Sequence, residues 1–245
     1  MVRVRPDSSL FNSNQRILLS NLIHCFDEHG SNLFVRRSNG DQGNYQFEFL
    51  SVKTFFESVM NKVQLVLERN RDYLSLPFND RRALLQLTVE HASGLGGMIT
   101  LRQHRLFDYP SFYQMAERIF KPDSARFTRQ VIEKLDLDNT FLKIMLAIIS
   151  FSTLNHTVYT SESSPPTMNV KAILKIQDTY AELAWLYLLY KYQHDEAVSK
   201  FSNFIRCILL VNRATVVAHE SKSLLNKINQ QRVFNLNAFY LLLYF

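Results

Sequence analysis

Glycine, proline and cysteine are all scarce in this chain. It has 6 Gly and 6 Pro among 245 residues, so few positions favour the tight turns that would separate many short strands. The two cysteines, Cys25 and Cys207, cannot supply a four-ligand zinc site. Both lie in apolar patterns typical of core thiols, and the sequence leaves a disulfide between them open. The scarcity of chain breakers therefore favours long helices.

Long apolar runs are also missing. The longest, such as residues 144–151, are far shorter than the about 18 residues that a membrane span needs. Residues 1–6 are basic with no apolar run behind them, unlike a secretory signal peptide. The 7 histidines show no metal-ligand spacing with acidic residues, and no nucleophile and base are recognisable. We expect an intracellular protein with no membrane contact, no metal, no cofactor and no enzymatic activity.

Aromatic residues and positive charge, in contrast, are plentiful. The 19 Phe and 11 Tyr predict either a bulky core or an enclosed apolar pocket. The formal net charge of +6 would attract acidic partners or nucleic acid. The arginines are spread over separate segments, for example at 36–37, 81–82 and 102, so an ordinary solvated surface and a true basic patch both remain open.

Apolar residues at helical spacing predict nine or ten helices in one domain over residues 1–245, with residues 1–11 as a disordered tail. Asn12 and Gln15 have the spacing of a capping box, which places the first helix start near residue 12 or 13. Asp138 is expected to cap a later helix. The sequence thus indicates an all-α protein.

Other segments predict less regular structure. Residues 31–50 and 160–168 contain the loop-forming residues, and residues 101–110 lack a helical period and are expected to include a short hairpin. Ser124 is expected to cap the helix that follows. Three of the six glycines fall within residues 94–97, without the Lys-Ser/Thr of a phosphate loop, so close helix packing or a local bend is the better interpretation.

A more specific pattern occupies residues 55–102. A long amphipathic helix runs into a short break at residues 74–78, and a second helix follows with an acidic residue and a double leucine. The residues of this pattern are Tyr73, Leu76, Asp80, Leu84 and Leu85. In order and spacing they resemble the central segment of nuclear-receptor ligand-binding domains, although Arg81 stands where that family usually has Gln.

Four further segments resemble the same family in the same order. Residues 14–28 resemble its first helix, and residues 147–152, followed by a Ser/Pro loop, resemble the end of its seventh. Residues 173–183 contain the Ile-Gln pair and Tyr of a later helix, and residues 201–210 resemble the start of the long penultimate helix, the dimer interface of the family. The resemblance therefore extends over most of the chain.

The resemblance implies a three-layer antiparallel helical sandwich of about ten helices around a pocket for a small lipophilic molecule. It implies a ligand-regulated transcription module, located in the nucleus alone or in both nucleus and cytoplasm. The module would form a homodimer or a heterodimer with another nuclear receptor. The implied pocket residues are Phe56, Val59, Met60, Leu95, Met98, Arg102 and Met145. Arg102 would anchor a polar group of the ligand. The competing interpretation of the apolar residues is an ordinary core stripe, and that of Arg102 is a surface arginine.

The implied coregulator groove departs from the family pattern. Its residues would be Val63, Leu67, Arg69, Arg81 and Leu85. Glu68 stands where a clamp Lys is usual, and the apolar segment 237–245 contains no acidic residue for the opposite clamp. The sequence thus lacks the residues that would clamp a coregulator peptide. Two alternatives explain this: a constitutive, ligand-free helical scaffold for dimerisation or repression, or a chain end that is not native.

Paired-cysteine zinc fingers are the second missing family feature. Without them we expect no direct DNA binding by this chain in the usual way of the family. A fragment, a receptor without that half and a lone sensor domain all fit this expectation.

Overall fold

The computed structural model describes residues 11–30, 46–120, 122–135, 138–153 and 168–228. Regular secondary structure in these ranges is entirely helical, which confirms the all-α prediction. The α-helices are α1 (Ser13–Gly30), α2 (Phe49–Arg69), α3 (Arg71–Leu74), α4 (Phe78–Gln103), α5 (Pro110–Phe120), α6 (Pro122–Lys134), α7 (Asn139–Ser150), α8 (Val170–Lys191) and α9 (His194–Ile228). A 3₁₀ helix, Leu106–Asp108, lies between α4 and α5.

Side-chain caps define several helix starts. The Asn12 side chain accepts from the Gln15 N–H at 2.9 Å, and the Gln15 side chain accepts from the Asn12 N–H at 3.0 Å, which confirms the predicted capping box. Asp138 caps α7 as predicted, and Asn169 caps α8. These caps satisfy N–H groups that have no partner inside their helix.

Helix α4 is the central element of the fold. It packs against α2, α6, α7 and α9, and residues 91–99 are buried at every position. A helix that is buried on all sides must present apolar or small residues all round. The Gly-rich segment within this stretch meets that requirement, and α4 continues through it as regular helix.

Close packing between α2 and α4 explains one glycine of that segment. A Cβ atom added at Gly96 would lie 2.6 Å from Cγ2 of Val63, well inside van der Waals contact. One added at Gly97 would lie 3.9 Å from Cγ1 of Val59, an ordinary contact. Gly96 therefore permits α2 and α4 to approach closely. This agrees with the close helix packing that the sequence predicted.

The region after α4 differs from the prediction. The expected hairpin at residues 101–110 was wrong: α4 runs to Gln103, Arg105 adopts a left-handed conformation with φ 51°, and the 3₁₀ helix follows. Leu106 and Phe107 are buried, so tertiary contacts hold this turn. Helix α5 was not predicted, and α6 begins at Pro122 instead of after Ser124, because proline suits the first turn of a helix.

Several expectations fall on residues outside the described ranges. These are the disordered tail, most of the two loops at 31–50 and 160–168, and the apolar segment 237–245. The cysteines do lie within the described ranges, and both are buried free thiols, so they do not form the disulfide that the sequence left open.

Candidate functional site

A cleft of about 460 Å³ opens where the C-terminal ends of α4, α6 and α8 meet the start of α7 and the first half of α9. Its lining includes two of the predicted pocket residues, Arg102 and Met145. We call this feature the basic cleft because cationic side chains line much of it. Its floor is apolar, and its rim is charged.

The floor of the basic cleft consists of buried side chains from α7, from α9 and from the residue that follows α6. They are Leu135, Phe141, Met145, Phe204 and Cys207, none more than 3% exposed. The rings of Phe141 and Phe204 meet edge to face with centroids 5.9 Å apart. Residues 141 and 145 are one turn apart on α7, and 204 and 207 are one turn apart on α9, so each helix presents one face to the cleft.

Four cations line the rim, and one buried carboxylate also lines the cleft. Arg102 comes from α4, Lys134 from α6, Lys191 from α8 and Lys200 from α9, and the carboxylate is Asp138. Four positive charges minus one negative charge leave +3 on the lining. The Arg102 guanidinium donates through Nη1 to the carbonyl of Ile132, which holds the arginine against the last turns of α6.

Asp138 is the centre of a hydrogen-bond network. Its donors are the N–H groups of Thr140 and Phe141, the hydroxyls of Tyr187 and Tyr192, and the ammonium of Lys191. Burial alone would raise the pKa of this carboxyl, but the hydrogen bonds, that of Lys191 first, outweigh burial and lower the pKa below its usual value. Asp138 is therefore ionised at neutral pH, with its acceptor sites engaged.

The Tyr192 ring contacts two lysines of the cleft. Nζ of Lys200 lies 4.4 Å from the ring centroid, and Nζ of Lys191 lies 5.6 Å from it. Such cation–π contacts hold an ammonium group over the ring face. Lys200 also lies 3.9 Å from a carboxylate oxygen of Glu196, which is 54% exposed. The two lysines are thus positioned before any ligand binds.

The Cys207 thiol belongs to the floor. Burial raises its pKa, while the nearby charges of Lys134 and Arg102 act in the opposite direction and do not overcome burial. The thiol is therefore protonated at neutral pH and behaves as an apolar group.

The other predicted pocket residues lie elsewhere. Phe56, Leu95 and Met98 are core residues, 5%, 1% and 1% exposed, and Met60 is half-buried against that core. Val59 lines a second groove of about 240 Å³ between α1, α2, α4 and α7. The basic cleft thus contains two of the seven predicted pocket positions.

The predicted coregulator residues are spread over α2 and the first turns of α4. Val63 lines the second groove, Leu67 is buried, and Arg69 is exposed. Arg81 and Leu85 are half-buried, and the Arg81 guanidinium lies 5.9 Å from the centroid of the Phe78 ring. An exposed apolar pair, Leu74 and Phe78 at 51% and 68%, lies beside them.

Within the described residues, no group of three or more His, Cys, Asp and Glu side chains could hold a metal ion. No helix in the same ranges combines the length and the apolar character that crossing a membrane requires. No protein-family model matches the chain, and no curated protein matches it significantly. The features of this chain that bear on function are therefore the basic cleft, the exposed helix faces and the sequence pattern.

Proposed function

We propose that this chain is a regulatory domain of the nuclear-receptor ligand-binding type, which binds a small lipophilic effector and controls transcription in the nucleus. The basic cleft is the observation that carries the proposal. Its volume of about 460 Å³ lies within the roughly 300–1,000 Å³ of typical small-molecule sites. It combines a buried apolar floor with charged side chains, Arg102 among them, that can anchor a polar group of the effector.

The contacts of the residues that carry the family resemblance also support the proposal. The Tyr73 hydroxyl donates to the carbonyl of Arg81 at 2.7 Å, which ties α3 to the first turn of α4. The buried Asp80 carboxylate accepts from the N–H of Asn169 at 3.2 Å, at the start of α8. In a three-layer sandwich, such contacts would join the central segment to a neighbouring layer.

Dimerisation is the second part of the proposal. Val198, Ile205 and Leu209 of α9 are 41%, 42% and 62% exposed, and their spacing of seven and four residues places them on one helix face. We propose this face as the contact with a second copy or with another nuclear receptor. Coregulator peptide binding near Leu74 and Phe78 is a further option, and we propose no DNA contact and no catalysis for this chain.

The alternative function is a constitutive, ligand-free scaffold for dimerisation or repression. One observation favours it: Phe56, Leu95 and Met98 fill the core instead of facing the basic cleft. Such a scaffold would use the exposed α9 face in the same way. The two functions differ in whether the basic cleft binds a small molecule.

Native mass spectrometry before and after solvent extraction distinguishes these functions. We expect a stoichiometric small-molecule adduct that Arg102→Ala reduces and that Arg105→Ala leaves unchanged. Arg105 is the matched control because it lies three residues away with its side chain 82% exposed. A clean mass, together with no thermal shift across a panel of lipids and steroids, would favour the ligand-free scaffold.

Analytical ultracentrifugation tests the α9 face separately. Leu209→Lys places a charge on the exposed apolar face and should dissociate a dimer. Leu174→Lys on α8, where the leucine is 38% exposed, is the matched control and should not. A dimer that survives Leu209→Lys would exclude this face as the contact.

A further inference from the structure

The basic cleft carries more positive charge than its own acidic residue can neutralise. Its lining has four cations against one carboxylate, a net +3. Asp138 already accepts from Lys191, two tyrosine hydroxyls and two backbone N–H groups. A carboxylate offers about four acceptor sites, so no capacity remains for Lys134, Arg102 or Lys200. The Glu196 carboxylate, which pairs with Lys200 from outside the lining, reduces this net charge to +2.

The positive charge of the lining comes from four helices that converge at the cleft. Arg102, Lys134, Lys191 and Lys200 come from α4, α6, α8 and α9, respectively. Like charges brought to one cleft repel each other, and the repulsion is stronger near a low-dielectric floor than in water. Glu196, the acid that pairs with Lys200, is 54% exposed and does not line the cleft. A bound anion would relieve this repulsion.

Three of the four cations are held in place by contacts of the fold, namely Arg102, Lys191 and Lys200. Lys191 is fixed by Asp138 at 2.7 Å, and Lys200 lies over the Tyr192 ring. Arg102 has five N–H donors and is anchored through one of them to the carbonyl of Ile132. A ligand anion would thus meet positioned donors and would not have to order long side chains itself, which favours binding.

We propose that the basic cleft binds a phosphate monoester that carries an apolar group. The phosphate lies at the rim among Lys134, Lys200 and Arg102, and the apolar group lies on the floor against Phe141, Met145 and Phe204. A phosphate monoester has a charge near −2 at neutral pH and three strong acceptor oxygens, which suits a net charge of +2 better than a single carboxylate does. This inference rests on the proposed function in taking the cleft as the effector site.

Isothermal titration calorimetry with four small probes tests the ligand class. The probes are octyl phosphate, octanoate, octanol and inorganic phosphate, each at neutral pH in low salt. We expect octyl phosphate to bind about tenfold more tightly than octanoate, because more charge-assisted hydrogen bonds form. Octyl phosphate should also bind at least about tenfold more tightly than inorganic phosphate, because only octyl phosphate covers the apolar floor.

Two pairs of lysines provide a matched comparison. Lys134→Ala/Lys200→Ala should weaken octyl phosphate binding by about tenfold or more, whereas Lys171→Ala/Lys175→Ala should leave it unchanged. The control pair removes the same charge from exposed positions of α8 outside the cleft. Lys134→Glu alone changes an exposed side chain and keeps the test valid if the double variant fails to fold.

The other outcomes overturn the inference in distinct ways. Equal affinity for octanol and octyl phosphate would show a site for neutral lipophiles. That result would reject the phosphate monoester as the ligand and leave the proposed function intact. Equal affinity for inorganic and octyl phosphate would show a compact anion site without a role for the floor. No binding of any probe, or equal loss in both lysine pairs, would reject the cleft as an anion site, while an adduct in native mass spectrometry would still support the proposed function.

Discussion

Nζ of Lys191 lies 2.7 Å from Oδ2 of Asp138, so one ion pair joins the last turn of α8 to the residue that caps α7. The Asp138 side chain is only 4% exposed, while that of Lys191 is 45% exposed. The pair therefore has a buried acidic end and a solvated basic end. Asp138 thus connects the helix cap, the tyrosine hydrogen bonds and the basic cleft.

Substitution Asp138→Asn should destabilise the fold by about 2 kcal/mol, between the values for surface and buried ion pairs, because Lys191 stays partly solvated. The asparagine can still cap α7 through its side-chain oxygen, so the loss reports on the charge and on the hydrogen bonds that Lys191 and Tyr192 donate to the replaced oxygen. Chemical denaturation measures the difference. Asp123→Asn is the control, since Asp123 is 90% exposed in its pair with Arg126, and it should have no measurable effect.

The stability difference between wild type and Asp138→Asn should depend on pH. The pKa of Asp138 is lowered in the fold, so its contribution is present above the unfolded pKa of about 3.9 and is lost as the pH falls through the lower folded value. The pKa of Lys191 is raised, chiefly by the hydrogen bond to Asp138, so its contribution is lost only at strongly alkaline pH.

We therefore expect a constant difference from about pH 5 to pH 9 and a smaller one near pH 3. Denaturation curves at these pH values would show it. A difference that persists undiminished in acid would mean that the Asp138 charge contributes nothing to stability.

Gly96 and Gly97 should respond to alanine in opposite directions. Alanine favours a helix over glycine by about 1 kcal/mol, and at Gly97 the new Cβ meets Val59 at an ordinary 3.9 Å, so Gly97→Ala should stabilise. At Gly96 the Cβ would lie 2.6 Å from Val63. Overpacking of this kind costs about 1–3 kcal/mol, so Gly96→Ala should destabilise in thermal unfolding.

The clash at Gly96 is itself testable. Val63→Ala removes the Cγ2 atom that the new Cβ would meet, so the combined variant should lose less stability than the sum of the two single changes. Simple additivity in a double-mutant cycle would show that the cost at Gly96 arises elsewhere.

Tyr180→Phe should cost about 1–3 kcal/mol. The Tyr180 side chain is fully buried, and its hydroxyl donates to Asp72 at 2.7 Å and accepts from Asn70 at 3.1 Å. The phenylalanine would leave the buried Asn70 amide without this acceptor. Urea denaturation measures the loss, and Tyr190→Phe, at a tyrosine that is 37% exposed, should change stability little.

Sequence patterns predicted those features that depend on near neighbours in the chain. The Asn12–Gln15 capping box and the Asp138 cap involve residues within three positions of each other, so their spacing was enough. The predicted hairpin failed because residues 101–110 are held by burial of Leu106 and Phe107, which no local period reveals. That the predicted pocket residues bind one ligand stays a prediction.

The amino-acid sequence by itself determined that the chain is helical and where several helices begin, because helix formation and capping depend on contacts within about four residues. It also indicated Arg102 and Met145. Only the tertiary structure decided that these two lie with Lys134, Lys191 and Lys200 around one cleft. Those cations are separated by up to about a hundred positions, and side chains so distant in sequence meet only when apolar helix faces pack together in a common core.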